Sequence, residues 1–512
     1  MSRTLEYLME GLEYSLYRLP EGMSSDELTG MEIPAVVSDE RRLSDGCLFI
    51  CCPITNHNGA HCIGKAIGAG ASVIVTERGL YEERGPHEVK DGAGPAVIFV
   101  EDSRYAMAFI YAAWHGHPAD RMTTIGVTGT KGKTTVAYML HAILAEAGRR
   151  AGLVSTVEYI TGGEYEVSPM TTPEADILQD LLRRMADAGD DAAVIEVASQ
   201  ALMTHRSQGF RFDIGIYTNL GIDHIGKDEH RDFSHYLYCK SLLMRQCETG
   251  LINIDDPYAD EILKGHTCEV KTYGLSPGAD FHAGDITYRF VDGVPGTEFD
   301  AMGMHITMPL PGEYSVSNAL AAIGAALCLG IPEAAVVSAL RNIRVDGRMD
   351  VIKPDDAEER DLPTAIVDFA HNGLSLERLL KTLRRYYSGK VICVICSRGV
   401  GSRWGPIGEA CGENAEYTIV TEHDEKYGNR FEDVAEGIAG GIRRKKGKYV
   451  IIRDRREAIR HAVSTGGAGD LVVVCGRGHV TGQIFGGKTY DLPSDADLVR
   501  EAFGMIADNG RA

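Results

Sequence analysis

Gly126-Val-Thr-Gly-Thr-Lys-Gly-Lys-Thr-Thr135 is a glycine-rich turn between a short apolar strand and a segment in which apolar residues recur at helical spacing. Such a turn directs backbone N–H groups and a helix N-terminus toward an anion, and Lys133 adds a mobile positive charge. The Thr134 hydroxyl is suited to bind a Mg²⁺ ion that accompanies a phosphate. Strand, turn, lysine and helix follow in the order that a phosphate site requires, so the stretch predicts a nucleotide-binding loop in an α/β fold.

The spacing of the glycines narrows the class of loop. Five residues separate Gly126 from Gly132, which is one more than the general pattern G-x-x-x-x-G-K-[ST] allows. The form Gly-Thr-x-Gly-Lys-Thr after a strand resembles the loop of Mur ligases and folylpolyglutamate synthetases, which join an acid to an amine with the use of ATP. A plain glycine loop without a ligand is the alternative, and the order of the motif argues against it.

Length and charge limit the possible functions. The chain has 512 residues and a formal net charge of −21, and 44% of its residues are hydrophobic. This length predicts several domains, and the acidic balance argues against a nucleic-acid-binding surface. No apolar run is long enough to span a membrane, and the N-terminus lacks the pattern of a secretion signal. We therefore expect a cytoplasmic protein whose twelve cysteines are mostly buried, reduced thiols.

Short apolar strands alternate with helical segments along most of the chain. This pattern predicts α/β structure in which mostly parallel sheets are covered on both faces. Strands are predicted at 47–52, 72–76, 124–127, 192–197, 215–218, 251–254, 364–369, 391–396, 417–421, 449–453 and 470–475. A helix is predicted at 318–329, and the glycine-rich segment 437–441 is predicted to be a helix end.

Two polar side chains follow strands next to the predicted phosphate loop. Glu196 lies at the end of an apolar strand, and the following strand runs into Thr218-Asn-Leu-Gly-Ile-Asp-His224. Ligands of open α/β sheets gather at the carboxyl ends of strands, so Glu196 and His224 should share a crevice with Lys133 and Thr134. A carboxylate and an imidazole beside a triphosphate predict Mg²⁺ ligands. The alternatives are a structural carboxylate and a capping or core histidine.

Weaker signals lie elsewhere in the chain. Arg348, before a predicted strand, could reach a phosphate with its planar guanidinium. Asp368, at the end of that strand, could accept hydrogen bonds from ribose hydroxyls. Lys240 follows a predicted helical turn and, taken by position alone, would be an ordinary surface lysine.

Taken together, the motifs resemble those of the Mur ligases over nearly the whole chain. They occur in the order found in that family: the phosphate loop, Met170-Thr-Thr-Pro173, Ile195-Glu-Val-Ala-Ser-Gln-Ala-Leu202, Thr218-Asn-Leu220, Asp223-His-Ile225, Tyr236-x-x-x-Lys240, Asn318-Ala-Leu-Ala-Ala322, Gly347-Arg-Met349 and Asp368-Phe-Ala-His371. The combination is most similar to the branch that adds the third residue of the peptidoglycan stem peptide, the UDP-N-acetylmuramoyl-tripeptide synthetases.

The resemblance implies three domains: an N-terminal α/β domain for the UDP end of the substrate (1–118), a central P-loop-type ATPase domain with a mostly parallel sheet (119–345), and a C-terminal Rossmann-like domain that brings the acceptor amino acid (346–512). It also implies that Lys240 is carbamylated and helps to hold Mg²⁺.

The resemblance further assigns site residues. ATP would contact Gly129, Thr130, Lys131, Gly132, Lys133, Thr134, Thr135, Asn318, Arg348 and Asp368. Catalysis and metal binding would involve Lys133, Thr134, Glu196, His224 and Lys240. The muramoyl-peptide substrate would contact Ser38, Thr171, Thr172, Ser199 and Arg206, although 38–41 matches the family signature only roughly. For the acceptor, the residue types of this chain rather than the resemblance suggest candidates for binding its carboxylate or side chain: Arg398, Arg403, His423, Asp424, Lys426 and Arg477.

The implied reaction is ATP-dependent addition of a diamino acid to the D-glutamate of UDP-N-acetylmuramoyl-L-alanyl-D-glutamate, with Mg²⁺, through an acyl phosphate and with release of ADP and phosphate. The expected partners are this nucleotide-linked dipeptide and a free amino acid, and the expected state is a monomer. A folylpolyglutamate-type ligase and a non-catalytic Mur-like binding protein are the alternatives from other classes.

The acceptor amino acid is predicted from departures within this resemblance. Diaminopimelate-adding enzymes usually carry Asp-Asn-Pro-Arg, and lysine-adding enzymes Asp-Asp-Pro-Asn, where this chain has neither form but Thr421-Glu-His-Asp-Glu-Lys-Tyr427. The diaminopimelate-adding enzymes also usually have a glutamate at the position of Val480, whereas Gln200 and Lys131 look closer to the lysine-adding branch. L-lysine, or another simple diamino acid such as ornithine, is therefore the favoured acceptor, and meso-diaminopimelate is the alternative.

Overall fold

The computed structural model describes residues 2–54, 57–58, 62–84, 94–222, 225–226, 229–345, 348–397, 401–422, 429–478, 480–485 and 488–509. The chain forms two compact units. The first comprises Met1–His282 and Ser317–Val336, and the second comprises Ala283–Val316 and Val337–Ala512.

An N-terminal sheet of five strands belongs to the first unit. In spatial order its strands are Tyr14–Arg18, Ala96–Val100, Val73–Glu77, Leu48–Cys51 and Val36–Val37. Only Tyr14–Arg18 runs antiparallel to its neighbour. The inner strands are continuous apolar runs, as is typical of strands with both faces buried. One face packs against the helix Ser103–Trp114, and the other forms a second buried cluster with the helix Ile63–Gly68.

The central sheet of the first unit is mostly parallel. In spatial order its strands are Glu164–Val167, Glu158–Thr161, Ala151–Val154, Ala192–Glu196, Thr123–Thr128, Phe212–Tyr217, Cys247–Asn253 and Glu269–Gly274. The first two are antiparallel additions at one edge, and the remaining six are parallel. Thr123–Thr128 and Ala192–Glu196 are neighbours, so the carboxyl ends of both strands meet at one edge of the sheet.

The second unit contains an antiparallel ladder and a six-stranded sheet. Phe281–Val291, which begins in the first unit, pairs with Val294–Ala301, and this strand pairs with Met304–Met308. The six-stranded sheet has the order Asp350–Ile352, Thr364–Asp368, Leu471–Cys475, Val391–Ile395, Tyr417–Val420 and Tyr449–Ile451. All of its pairs are parallel except the first. Residues of the helices Arg455–Thr465 and Asp495–Asn509 share a buried core with the strands, as expected for a Rossmann-like domain.

Helices complete both units. They are Leu5–Leu8, Ser25–Thr29, Ile63–Gly68, Arg78–Arg84, Ser103–Trp114, Lys133–Glu146, Ala175–Ala188, Ser199–Met203, Phe233–Ser241, Ala259–Ile262, Glu313–Cys328, Glu333–Arg341, Gly373–Leu383, Trp404–Asn414, Phe431–Arg444, Arg455–Thr465 and Asp495–Asn509. Among the described residues, none of these helices is long and apolar enough to cross a bilayer.

The structure confirms the α/β class and every predicted strand, with ends that differ by a few residues. The helix predicted at 318–329 is Glu313–Cys328, whose start is set by the Gly312 turn at φ +88°. All twelve cysteines are free thiols, and eleven are buried as expected, but Cys328 is exposed at the end of its helix.

The prediction of a helix end at 437–441 was wrong. These glycines lie inside the helix Phe431–Arg444, which packs against Trp404–Asn414. A Cβ atom on Gly441 would lie 2.8 Å from the backbone nitrogen of Glu409, and one on Gly408 would collide with the Ile438 carbonyl. The glycines are therefore required by the close approach of two helix backbones rather than by a turn.

This packing yields a prediction for two adjacent glycines. Gly441→Ala should lower the free energy of unfolding by about 1–3 kcal/mol, because its methyl group meets rigid backbone of the facing helix. Gly440→Ala should instead raise the free energy of unfolding by about 0.5–1 kcal/mol, because only mobile arginine ends lie near its Cβ. Denaturant unfolding of both variants tests the pair, and stabilisation by Gly441→Ala would contradict the close approach.

Candidate active site

The phosphate loop (Gly129–Gly132) joins the strand Thr123–Thr128 to the helix Lys133–Glu146. Gly129 has φ +148° and Gly132 has φ +93°, which L-residues with side chains rarely adopt. A Cβ atom at Gly132 would also collide with the Asn318 amide, so glycine is needed for this approach. The structure thus brings Asn318, a predicted ATP residue, against the loop.

Two residues that follow the neighbouring strand hold the loop in shape. Lys131 O accepts hydrogen bonds from Thr218 Oγ1 at 2.7 Å and from Asn219 Nδ2 at 2.9 Å. The backbone nitrogen of Lys131 donates to Asn219 Oδ1 at 3.0 Å, and that of Thr130 donates to Asn219 O at 2.8 Å. The sequence analysis assigned no role to these hydrogen bonds from Thr218 and Asn219, which fix the conformation of the loop before any ligand is present.

Two lysine ammonium groups converge on a single carbonyl of the loop. Lys133 Nζ donates to Gly129 O at 2.9 Å, and Lys240 Nζ donates to the same oxygen at 2.8 Å. Lys240 is 1% exposed, and its ammonium lies 4.9 Å from the ring centre of Tyr236. Lys240 is therefore no surface lysine, because its helix places its ammonium against the phosphate loop. Its carbamylation stays a prediction.

Glu196 is a fully buried carboxylate beside the loop, at 0% exposure. Its Oε2 accepts hydrogen bonds from Thr134 Oγ1 and Thr156 Oγ1, both at 3.1 Å, and its Oε1 accepts one from the backbone nitrogen of Thr156 at 2.9 Å. Within the described residues this carboxylate has neutral donors but no ion pair. A buried charge without a cation is costly, so the site fits the Mg²⁺ ion that the family uses.

Thr156 was missed by the sequence analysis. It follows the strand Ala151–Val154, which is the neighbour of Ala192–Glu196 in the parallel sheet. The rule that ligands gather at carboxyl ends of strands could have identified it, had the strand at 151–154 been predicted. Thr156 Oγ1 also lies 3.0 Å from Thr171 Oγ1, which links Glu196 to a predicted substrate residue.

Further predicted substrate residues form a network around Thr172. Thr172 Oγ1 donates to Glu196 O at 2.7 Å, and Arg206 Nη1 donates to Thr172 O at 3.1 Å. Arg206 Nη2 lies 3.2 Å from Glu174 Oε1 in a nearly buried ion pair. Burial lowers the pKa of the Arg206 guanidinium, and the Glu174 carboxylate opposes this effect. The structure therefore brings Thr171, Thr172 and Arg206 together beside Glu196.

Ser199 and Ser38 are both buried, but they lie in different networks. Ser199 Oγ lies 2.8 Å from His230 Nε2. Ser38 Oγ lies 3.1 Å from Tyr111 Oη and donates to Asp176 Oδ2 at 3.1 Å. Burial raises the pKa of the Asp176 carboxyl, and the hydrogen bonds that it accepts oppose that shift. The Ser38 hydroxyl is thus engaged within the protein, and its contact with UDP stays a prediction.

Arg348 and Asp368 lie close together in the second unit. Asp368 Oδ2 accepts a hydrogen bond from the backbone nitrogen of Met349 at 3.1 Å, and Oδ1 accepts one from that of Ala370 at 2.8 Å. The Arg348 guanidinium stacks 4.5 Å from the ring centre of Phe369. These contacts place both predicted ATP residues at the carboxyl end of the strand Thr364–Asp368.

The predicted acceptor residues are placed only in part. Arg477 is 1% exposed and donates from Nη2 to the carbonyls of Leu492 and Pro493, each at 3.1 Å. Arg403 lies in a short 3₁₀ turn, Gly401–Arg403. The remaining predicted residues lie outside the described part of the chain: His224, Arg398, His423, Asp424 and Lys426.

Comparison with known proteins agrees with this arrangement. Residues 127–326 match the Mur ligase middle domain, and residues 347–478 match the Mur ligase glutamate ligase domain. A protein of Caldanaerobacter subterraneus subsp. tengcongensis named UDP-N-acetylmuramoyl-L-alanyl-D-glutamate--2,6-diaminopimelate ligase is 34% identical, over 92% of this chain and 95% of its own length. A Clostridium botulinum protein of the same name is 33% identical, over 95% and 96%.

Solved structures show the same fold. One titled as a UDP-N-acetylmuramoyl-L-alanyl-D-glutamate--2,6-diaminopimelate ligase superposes with a TM-score of 0.67 at 24% identity, covering 99% of this chain and all of that one. A Mycobacterium tuberculosis folylpolyglutamate synthase, solved with ADP and AMPPCP, gives a TM-score of 0.58 at 18% identity and covers only 73% of this chain.

Both relatives are named for 2,6-diaminopimelate, the acceptor given above as the alternative, and not for lysine. Three findings point to the same family. Two Mur ligase domains match the chain, two relatives exceed 30% identity over nearly their full length, and the phosphate loop contacts a buried carboxylate and a buried lysine. The chain belongs to the Mur ligase family and is an ADP-forming ligase that joins an acid to an amino acid with the use of ATP.

Proposed function

We propose that this ligase adds 2,6-diaminopimelate to the D-glutamate of UDP-N-acetylmuramoyl-L-alanyl-D-glutamate. The observation that carries the ligase reaction is the contact between the buried Glu196 carboxylate and the Thr134 hydroxyl of the phosphate loop, and the choice of acceptor rests on the names of the relatives. The same carboxylate is bonded to Thr156, which touches the predicted substrate residue Thr171. The phosphate site and the predicted peptide site are therefore contiguous within one unit.

The chemistry requires two anions to meet. The γ-carboxylate of D-glutamate attacks the γ-phosphorus of ATP, a P–O bond breaks, and ADP leaves. Lys133 and the loop amides offset the charge of the transferring phosphoryl group, and Mg²⁺ held at Glu196 would add Lewis-acid stabilisation. The acceptor amine then attacks the acyl carbon, and phosphate leaves. Positioning and electrostatics supply the catalysis, so no enzyme side chain becomes covalently bonded.

The acceptor is the finer part of the proposal. The two relatives named above, each at least 33% identical and matched over nearly their full length, are named for 2,6-diaminopimelate. The chain nevertheless lacks the usual Asp-Asn-Pro-Arg tetrad, and Val480 stands where a glutamate is usual. We infer that the second carboxylate and amine of diaminopimelate are held by other residues, among which Arg403, His423, Asp424, Lys426 and Arg477 are the predicted candidates.

The functional division into 1–118, 119–345 and 346–512 is also part of the proposal. The two family matches begin and end within the second and third of these regions. The N-terminal five-stranded sheet has its own buried core and would bind the UDP end. The roles of Arg348 and Asp368 toward ATP rest on the family resemblance alone.

A competition assay tests the acceptor. UDP-N-acetylmuramoyl-L-alanyl-D-glutamate and ATP are offered with meso-diaminopimelate, L-lysine and L-ornithine together, and products are resolved by mass spectrometry. We expect the diaminopimelate tripeptide, with kcat/KM about 10³-fold or more above that for lysine, because a site built for a second carboxylate leaves buried polar groups unsatisfied when it is absent.

Two outcomes would contradict the proposal in different ways. A lysine or ornithine product would refute the acceptor but keep the ligase reaction. No product from any of the three amino acids, with ATP binding intact, would refute the acid substrate as well and would favour a Mur-like protein with another role.

A further inference from the structure

The helix Phe233–Ser241 presents two chemically different faces. Lys240 points to the phosphate loop, where its ammonium bonds to Gly129 O. His235 and Cys239 are four residues apart, so they lie one above the other on the same helical face. His230, which precedes the helix, joins them, and one ligand atom from each of the three lies within 4.8 Å of the others.

This cluster is largely removed from solvent. His230 and Cys239 are buried, and His235 is partly buried. The two imidazole rings lie 5.2 Å apart between centres with an interplanar angle of 65°. His235 Nδ1 is buried and has no hydrogen-bond partner among the described residues, so a bound ion would satisfy it.

The donor set selects the kind of ion. Mg²⁺ prefers oxygen ligands, and two imidazoles with a thiolate offer it none. Nitrogen and sulfur donors suit Zn²⁺ and its spectroscopic substitute Co²⁺, and three protein ligands leave a fourth position for water. We propose that His230, His235 and Cys239 form a site for a divalent transition-metal ion of the Zn²⁺ class, separate from the Mg²⁺ site at Glu196.

The surroundings of His230 match those of a metal ligand. Histidines that bind metals are usually held by a hydrogen bond to the other ring nitrogen, and His230 Nε2 lies 2.8 Å from Ser199 Oγ. We therefore assign the metal to Nδ1 of His230. Because Ser199 is a predicted substrate residue, an ion at this site would fix the position of a side chain in the peptide site.

Cobalt titration of the full-length protein tests the site directly. Chelator-treated protein is titrated with Co²⁺ in excess Mg²⁺, and bound metal is measured by equilibrium dialysis with elemental analysis. We expect one Co²⁺ per chain, a thiolate-to-cobalt charge-transfer band and d–d bands of tetrahedral intensity, and all of them should disappear when Zn²⁺ is added. The readout needs neither ATP nor substrate, so it is independent of the proposed reaction.

Variants assign the ligands. Cys239→Ser should abolish the charge-transfer band and weaken Co²⁺ binding about 100-fold, since even residues behind a ligand change affinity 10–100-fold. His235→Gln, at a less buried position, should weaken binding similarly and serves if Cys239→Ser does not fold. Cys328→Ser, which alters an exposed thiol on another helix, and His266→Gln, which alters an exposed histidine, should bind as the parent does.

The proposal is overturned if the parent protein shows no thiolate-to-cobalt band at saturating Co²⁺. It is equally overturned if folded Cys239→Ser or His235→Gln, verified by circular dichroism, binds Co²⁺ with parental affinity. Loss of the band in Cys328→Ser would place the thiolate ligand elsewhere and would also refute it.

Discussion

Glu196→Gln is expected to lower kcat by about 10²–10³-fold, the usual effect of removing one electrostatic group from a preorganised site. The substitution keeps the size of the side chain, removes its charge and replaces one acceptor oxygen by an NH2 donor. The amide oxygen can still accept from the backbone nitrogen of Thr156, and the Thr134 and Thr156 hydroxyls can accept from the NH2 group. The Mg²⁺ ion that this carboxylate is proposed to hold would then bind less tightly, so the Mg²⁺ concentration needed for half-maximal activity should rise.

Although Glu196→Gln should lower activity, it should not lower the thermal stability of the metal-free protein. In the described structure the Glu196 carboxylate is fully buried and meets only neutral donors from Thr134 and Thr156. An uncompensated buried charge destabilises the folded protein in the absence of metal, whereas a neutral amide avoids that cost. We therefore expect the metal-free variant to unfold at a temperature equal to or above that of the parent.

Activity assays across Mg²⁺ concentrations test the expected loss of activity. Thermal unfolding with and without Mg²⁺ tests the expected stability. Glu158→Gln is the control, because Glu158 begins the strand that follows Thr156 and accepts a hydrogen bond from Tyr138 Oη at 2.7 Å but has no proposed role. It should leave kcat and the Mg²⁺ requirement unchanged. A Glu196→Gln variant with full activity, or one that loses stability without metal, would refute the assignment of Glu196.

Asp495→Ala is expected to reduce the free energy of unfolding of the second unit by about 3–5 kcal/mol, the effect of leaving a buried charge without its partner. Arg455 Nε donates to Asp495 Oδ1 and Nη2 donates to Oδ2, both at 2.7 Å, and the two side chains are 1% and 0% exposed. This bidentate pair is buried at the N-terminus of the last helix.

The same pair fixes the turn that carries Arg477. Asp495 Oδ2 also accepts a hydrogen bond from the backbone nitrogen of Gly478 at 2.9 Å, and Arg455 Nη2 donates to Cys475 O at 3.1 Å. Loss of Asp495 would therefore release the turn as well as the guanidinium. Since this turn includes a predicted acceptor residue, the acceptor KM should rise more than the ATP KM.

Denaturant unfolding and steady-state kinetics measure these effects. Asp497→Ala is the control, because its ion pair with Arg500 on the same helix is exposed and should contribute about 0–1 kcal/mol. Replacing Arg455 by Met and Asp495 by Leu together should recover much of the stability, since neither charge is then left buried. If Asp495→Ala and Asp497→Ala lowered the free energy of unfolding equally, burial of the Arg455–Asp495 pair would not be what stabilises the turn.

Several features could be predicted from sequence because they depend on local pattern. The strands at 192–197 and 364–369 are short apolar runs next to polar residues, and they were predicted within a few residues of their ends. The phosphate loop was predicted from glycines whose positive φ is a local requirement. The glycines at 437–441 were misjudged because a glycine required by a facing helix has no local signature.

The burial of Lys240 could not be predicted from the local sequence. Its sequence context was that of a surface lysine, and only the family resemblance gave it a role. The structure buries it because its helix packs beside the phosphate loop, where its ammonium shares Gly129 O with Lys133. The cluster of His230, His235 and Cys239 was likewise not predicted, since two of its members share a helix but the third comes from the preceding segment.

The sequence by itself determined the α/β class, the phosphate loop and the family, because these rest on periodicity, glycine conformation and the order of motifs along the chain. Only the tertiary structure decided that Thr156 completes the shell of Glu196, that Thr218 and Asn219 clamp the loop, and that Arg455 and Asp495 anchor a turn. These contacts join residues far apart in the chain, and such pairing follows from how strands and helices pack rather than from any local pattern.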